Sequence, residues 1–150
     1  MLYIAKMNIK HAGAAAELHR AAGALIPGYD TSLHTPEEFQ LFYSDDVMQK
    51  DELWGAFDGE TLRGFIALLP GWVDHLYVEP ALHGQGIGSQ LIGLAQQQQP
   101  ELRLYTFQSN TIARGFYERH GFVIDEMTDG GRNQEKMPDI TYHWVRSASG

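Results

Sequence analysis

The sequence predicts a mixed α/β fold with about seven strands and about four helices, in one domain spanning residues 1–150. Two observations predict it. Stretches of period-two apolar alternation and stretches of helical spacing follow one another along the whole chain, with no linker and no internal repeat between them. At the centre, residues 72–88 read WVDHLYVEPALHGQGIG, a strand that stops and a helix that starts across three glycines.

The elements follow in order. Leu2-Tyr3-Ile4-Ala5-Lys6-Met7 is a short first strand. From Lys10 to about Leu25 an alanine-rich segment places Leu18, Ala22 and Leu25 on one face of a helix, and Pro27-Gly28 ends it. Thr35-Pro36-Glu37-Glu38 is a capping box with Pro at the first helical position, opening a second helix through Phe39, Phe42 and Tyr43. The segments 53–57 and 62–69 are strands joined by Asp58-Gly59-Glu60, a hairpin signal. Pro70-Gly71 turns the chain into Trp72-Val73-Asp74-His75-Leu76-Tyr77-Val78. Pro80 has no N–H for a ladder, so that strand stops. Ile87, Leu91, Leu94 and Ala95 then recur at helical spacing, and the four glutamines at 96–99 are a solvated last turn before Pro100. Leu102-Arg103-Leu104-Tyr105-Thr106-Phe107 alternates as a strand. Asn110 caps a helix through Ile112, Ala113, Phe116, Tyr117 and His120, and Gly121 ends it. Strands at 122–124 and 140–145 flank a polar loop at 129–134.

Composition removes several function classes. The chain has 150 residues, 43% hydrophobic and 20% charged, which suits one globular core. No apolar run reaches membrane-spanning length, and MLYIAKMNIK lacks a secretory apolar region, so a cytoplasmic protein is expected. Without cysteine there is no disulfide and no thiol nucleophile. A net charge of −8 argues against nucleic-acid binding, which needs a basic face. The seven histidines lack ligand spacing, so no metal is expected. There is no Gly-x-Ser-x-Gly nucleophile elbow.

Gly84, Gly86 and Gly88 bare the backbone N–H groups where a helix leaves its first donors unpaired. Together with the positive end of the helix dipole they form an anion site suited to pyrophosphate. The spacing is neither a Walker loop, since no Lys follows, nor the dinucleotide Gly-x-Gly-x-x-Gly.

These residues resemble motif A of the GNAT superfamily of acyl-CoA-dependent N-acetyltransferases, Arg/Gln-x-x-Gly-x-Gly/Ala. Here it reads His83-Gly84-Gln85-Gly86-Ile87-Gly88, with His83 in place of the family's Arg or Gln. Residues 110–122 are similar to the family's second signature, Asn-x-x-Ala-x-x-Phe/Leu-Tyr-Glu-x-x-Gly-Phe. The resemblance implies a GNAT fold, a mixed and mostly antiparallel sheet whose fourth and fifth strands splay apart to admit the pantetheine arm. It implies acetyl-CoA as cosubstrate and a primary amine as acceptor. The cosubstrate would meet Leu76, Val78, the loop from His83 to Gly88, Asn110 and Tyr117. The Val78 N–H would point at the thioester carbonyl as an oxyanion donor. Tyr117 matches the tyrosine that protonates the leaving thiolate; its other reading is an apolar-face aromatic beside Phe116.

An amine must lose a proton before it attacks. Strand parity places Trp72, Asp74, Leu76 and Val78 on one face and His75 and Tyr77 on the other. Asp74 is the first candidate base by resemblance and His75 the second, its pKa being near working pH. Arg114, Arg119 and Arg132 could meet the adenosine phosphates, though Arg114 with Glu118 is also an ordinary helix pair. Residues 27–46 should cover the acceptor side. Tyr29 and Asp30 there suit a cationic acceptor, a small amine or an amino terminus. Peptide N-terminal or lysine acetylation, and a non-catalytic acyl-CoA-binding module on the same fold, are the other readings. A homodimer is compatible with the resemblance, and no feature of the sequence argues for one.

Overall fold

The computed structural model describes residues 2–147. A seven-stranded sheet carries the fold, in the order β1-β2-β3-β4-β5-β7-β6. The strands are β1 (Leu2–Lys6), β2 (Glu52–Asp58), β3 (Thr61–Leu69), β4 (Trp72–Val78), β5 (Glu101–Phe107), β6 (Val123–Thr128) and β7 (Asp139–Val145). Every neighbouring pair is antiparallel except β4 with β5.

Helices cover both faces. Helix α1 (Ala12–Gly23) follows a 3₁₀ turn capped by Asn8. Helix α2 (Pro36–Phe42) opens on the expected box, in which Glu38 N–H donates to Thr35 Oγ1 at 3.1 Å and Thr35 N–H to Glu38 Oε1 at 2.8 Å. It runs on through a π-helical turn, Tyr43–Val47, into the short α3 (Met48–Lys50). The widened turn keeps Phe39, Tyr43 and Val47 on one buried line, which the sequence pattern did not specify. Helices α4 (Ile87–Gln98) and α5 (Thr111–Arg119) lie on the opposite face.

Alternation along β3 divides the core. Ile66 and Leu68 join Leu91, Ile92, Ala95, Leu102 and Tyr117 under α4 and α5. Phe65 and Ala67 join Ala15, Ala16, Phe39, Tyr43 and Val47 under α1 and α2. The sheet is thus buried on both sides at its centre, and β3 accordingly reads as a near-continuous apolar run.

The feature that positions the site is a parting in the sheet. β4 pairs with β5 only at Trp72 with Arg103 and Val73 with Leu104. Beyond Val73 the two strands separate, although β4 stays paired with β3, and β5 with β7 to its last residue, Phe107. This is the expected splay between the fourth and fifth strands.

Leu91 is fully buried between α4 and the sheet. Leu91→Ala is expected to cost about 3 kcal/mol through lost transfer energy and the cavity left behind. Denaturant unfolding with an unchanged m-value measures it, and a loss below about 1 kcal/mol would mean that the helix does not pack on the sheet in this way.

Candidate active site

The exit of β4 is fixed from two directions. Glu79 N–H donates to Arg63 O at 2.8 Å, and the Arg63 guanidinium pairs with Glu79 Oε2 at 2.7 Å. That backbone bond makes Val78 and Gly64 a non-hydrogen-bonded pair, so the N–H and C=O of Val78 face away from β3. By the same alternation Leu76 does so too, and both open into the splay. His83 turns back and donates from Nε2 to Val78 O at 3.0 Å. The imidazole therefore ties the loop to the strand end.

The three glycines serve two purposes. Gly84 and Gly86 hold φ of 84° and 87°, and a Cβ on either would meet nothing within 4 Å. They let the backbone turn and leave open space beside it. Gly88 has an ordinary backbone, but a Cβ there would lie 3.1 Å from the Phe116 ring, so it lets α4 and α5 approach. No side chain caps α4, whose N-cap is Gly86. Its first N–H groups and the dipole are left to an external anion, and the loop with its open space fits a pyrophosphate. Ser89 Oγ at the same helix start lies 3.0 Å from His120 Nε2. Arg114 is engaged elsewhere, with Tyr142 Oη and Gln108 O, and Arg132 with Glu126.

Tyr117 is packed among Phe116, Phe122 and Tyr142, and burial pushes its phenol pKa up. It stays protonated at neutral pH. Asn110 accepts from Ala113 N–H at 3.2 Å and so fixes the start of α5, the helix that carries Tyr117.

The strand-parity expectation fails at Asp74. Ala67 pairs with His75 and Leu68 with Val73, so Asp74 is an extra residue, a β-bulge. A bulge reverses the alternation before it. Val73, not Asp74, lies with Leu76 and Val78 on the α4 side. Asp74 and His75 come together instead of facing apart, with His75 Nε2 3.6 Å from Asp74 Oδ2. Lys50 Nζ stands 4.0 Å from the same oxygen. Burial lowers the pKa of His75, against the opposing pull of Asp74, and keeps the ring neutral.

Sequence reasoning missed His19. It sits on the buried side of α1 with Nδ1 2.7 Å from Tyr43 Oη. Its ring stacks on Tyr77 at 4.3 Å, and Nε2 lies 3.4 Å from Tyr29 Oη. Burial pushes its pKa down to about 3, so it is neutral. The available signal was a histidine in register with Ala12, Ala15 and Ala16 on the apolar face.

The structure separates Tyr29 from Asp30. The half-buried Tyr29 lies 5.7 Å from the Phe107 ring and reaches His19. Asp30 is exposed and accepts from Ser32 N–H and Oγ, bonds that lower its pKa. Ser109 Oγ donates to Pro27 O at 2.7 Å and binds the Tyr29 loop to the end of β5. Beyond it a cavity of about 430 Å³ is lined by Tyr105, Phe107, Glu126, Arg132, Glu135 and Asp139. Its polar loop carried no motif. Among the described residues no group of histidines and carboxylates could hold a metal ion.

The arrangement comprises an anion cradle beside an open strand edge, a protonated phenol on α5 and a carboxylate–imidazole pair at the β4 bulge. Residues 49–124, half of the chain, match the family model of the acetyltransferase (GNAT) domain. A relative from Escherichia coli, the peptidyl-lysine N-acetyltransferase YiaC, is 37% identical over 67% of this chain and 68% of its own length. The peptidyl-lysine N-acetyltransferase YjaB of Salmonella typhimurium is 34% identical over 58% of this chain, which spans 63% of that relative. The solution structure of apo YjaB from Escherichia coli superposes with a TM-score of 0.80 at 20% identity, covering 98% of this chain and 99% of that one. The PaiA N-acetyltransferase of Thermoplasma acidophilum, solved with coenzyme A, gives 0.72 at 20% identity over 97% and 99% of the two chains. The chain belongs to the GNAT acetyltransferase family.

Proposed function

We propose that this protein is an acetyl-CoA-dependent N-acetyltransferase acting on lysine side chains of a peptide or protein. The observation that carries the reading is the splay of β4 from β5 directly beside an uncapped, glycine-lined helix start. The lysine acceptor is supported by the two relatives named for it and by aromatic walls that suit the stem of a cation. Use of acetyl-CoA as cosubstrate supports a cytoplasmic setting.

Gly84, Gln85, Gly86, Ile87 and Gly88 hold the pyrophosphate by backbone N–H groups. Leu76 pairs with the pantetheine amides across the open edge, and Asn110 fixes the far wall. The Val78 N–H receives the charge that builds on the thioester oxygen. Asp74, with His75 beside it, takes the proton of the acceptor ammonium. Tyr117 gives its proton to the departing thiolate. Tyr29 guides the lysine stem, and Asp30 stands outside to meet positive charge flanking it.

Three outcomes are expected. Tyr117→Phe keeps acetyl-CoA affinity by calorimetry and lowers kcat about 10²-fold; an unchanged kcat would leave Tyr117 a packing residue. Gly86→Ala strains a positive φ by about 1–2 kcal/mol, and its methyl group enters the cradle, so the acetyl-CoA Kd rises about tenfold or more. An equal Kd would remove the loop from the cosubstrate site. In a panel of lysine peptides and small free amines scored by thiol release, lysine peptides turn over fastest. Tyr29→Ala raises their KM about fivefold or more with little change in kcat. A small amine as best acceptor would overturn the acceptor class and leave the transferase reading standing.

A further inference from the structure

Asp51 lies between α3 and β2, and the bulge in β4 gives it a partner. Its carboxyl faces that of Asp74. Burial, then that contact and the Asp74 charge, push the pKa of Asp51 up to about 8. Asp51 Oδ1 and Oδ2 and Asp74 Oδ2 are all inaccessible, and no donor reaches them. With both groups ionised, buried oxygens would face each other without a hydrogen between them, which is costly. One shared proton supplies the missing donor.

The surroundings do not replace that proton. Lys50, the one cation facing the pair among the described residues, is 3.3 Å from Asp46 and 4.0 Å from Asp74. His75 is held neutral by burial. Tyr43 and Tyr77 are phenols with raised pKa values, and the charge of Asp74 contributes to both shifts.

The place is right for chemistry. Asp74 is the first residue of β4 beyond the last pair with β5, and its side chain keeps 26% exposure. Leu76, which opens into the splay, follows roughly 7 Å along the strand, a gap that a short chain of waters spans.

We propose that Asp51 and Asp74 act as one carboxyl pair that, when doubly ionised, takes up the first proton of the acceptor ammonium, with Asp51 as the positioning residue through which Asp74 holds it. This rests on the acetyltransferase reading above. An N–H bond of the ammonium breaks and its proton passes to the pair through ordered water. The freed lone pair forms the C–N bond, and the C–S bond breaks. The thiolate takes the Tyr117 proton, and the second proton leaving nitrogen restores Tyr117. The pair returns its proton to water, so each turnover releases one proton. An isolated carboxylate, at about 4, is a poor match for a lysine at about 10.4, and pairing narrows that gap.

The test is the pH dependence of kcat/KM with a lysine peptide, in wild type and Asp51→Asn. In wild type the acidic limb is expected near pH 8. In Asp51→Asn it moves down by about two pH units or more, and the alkaline plateau falls about tenfold or more. A limb that stays in place overturns the proposal. A second measurement needs no turnover. A carboxyl whose folded pKa lies above its unfolded value contributes stability that is full below about pH 4 and lost as pH rises through the folded value. The wild-type Tm is therefore expected to fall between pH 5 and pH 9 relative to Asp51→Asn, and Asp74→Asn to abolish the same titration. A Tm difference independent of pH overturns the shared proton even if acetyl transfer proceeds. If no lysine peptide is acetylated while the Tm difference titrates, the shared proton stands and its role in transfer is overturned.

Discussion

The rest of the structure depends on β4 failing to pair with β5 after two residues. Neighbouring parallel strands gain hydrogen bonds by closing, and unpaired backbone groups inside a sheet are costly. The gap persists because each strand is held from its other side. β4 is laddered to β3, and its exit is clamped by Glu79 on Arg63. β5 is paired with β7 along its whole length. The open N–H and C=O of Leu76 and the N–H of Val78 are then a standing template for an extended ligand carrying amides, in the manner of strand addition.

Two irregularities face each other across the α1–α2 side of that gap. The bulge at Asp74 and the π turn at Tyr43–Val47 each add a residue to a regular element. Both kinds of insertion re-aim side chains and recur at functional sites. Here the bulge swings Asp74 toward His75, Lys50 and Asp51. The π turn seats Tyr43 where its hydroxyl meets His19 and its ring lies 5.7 Å from His75. Neutral aromatic rings thus enclose a small number of carboxyls, an environment of low polarity in which one proton more or less matters.

Legibility in the sequence followed the range of the forces involved. The glycine loop, the Thr35 box and the Asn110 cap were readable because their causes lie within a few residues: a positive φ, an orphan N–H, a helix start. Strand and helix order were readable from periodicity. The bulge was not, since its cause is the register of β4 on β3, and it reversed the parity on which the assignment of Asp74 and His75 to opposite faces rested. The His19 cluster was not, because it joins residues 24 and 58 positions apart. Asp51 was hidden for the same reason. It has no motif of its own, and its meaning lies in the strand that folds beside it.

His83 shows how a departure from a family pattern can keep the function while changing its physics. At the position where relatives of the motif carry Arg or Gln, this chain has a side chain that bonds to Val78 O. That bond anchors the strand end whose N–H groups line the splay. Of the arginines offered to the phosphates, Arg114 and Arg132 are engaged with other partners. The favourable field for a pyrophosphate then comes from unpaired N–H groups and from about half a unit charge at the helix N-terminus. Such donors are directional and fixed, so they reward a phosphate that sits in the turn more than one that drifts past it. In a chain of net charge −8, a cradle built from backbone rather than from side-chain cations has no charge to lose to neighbouring carboxylates.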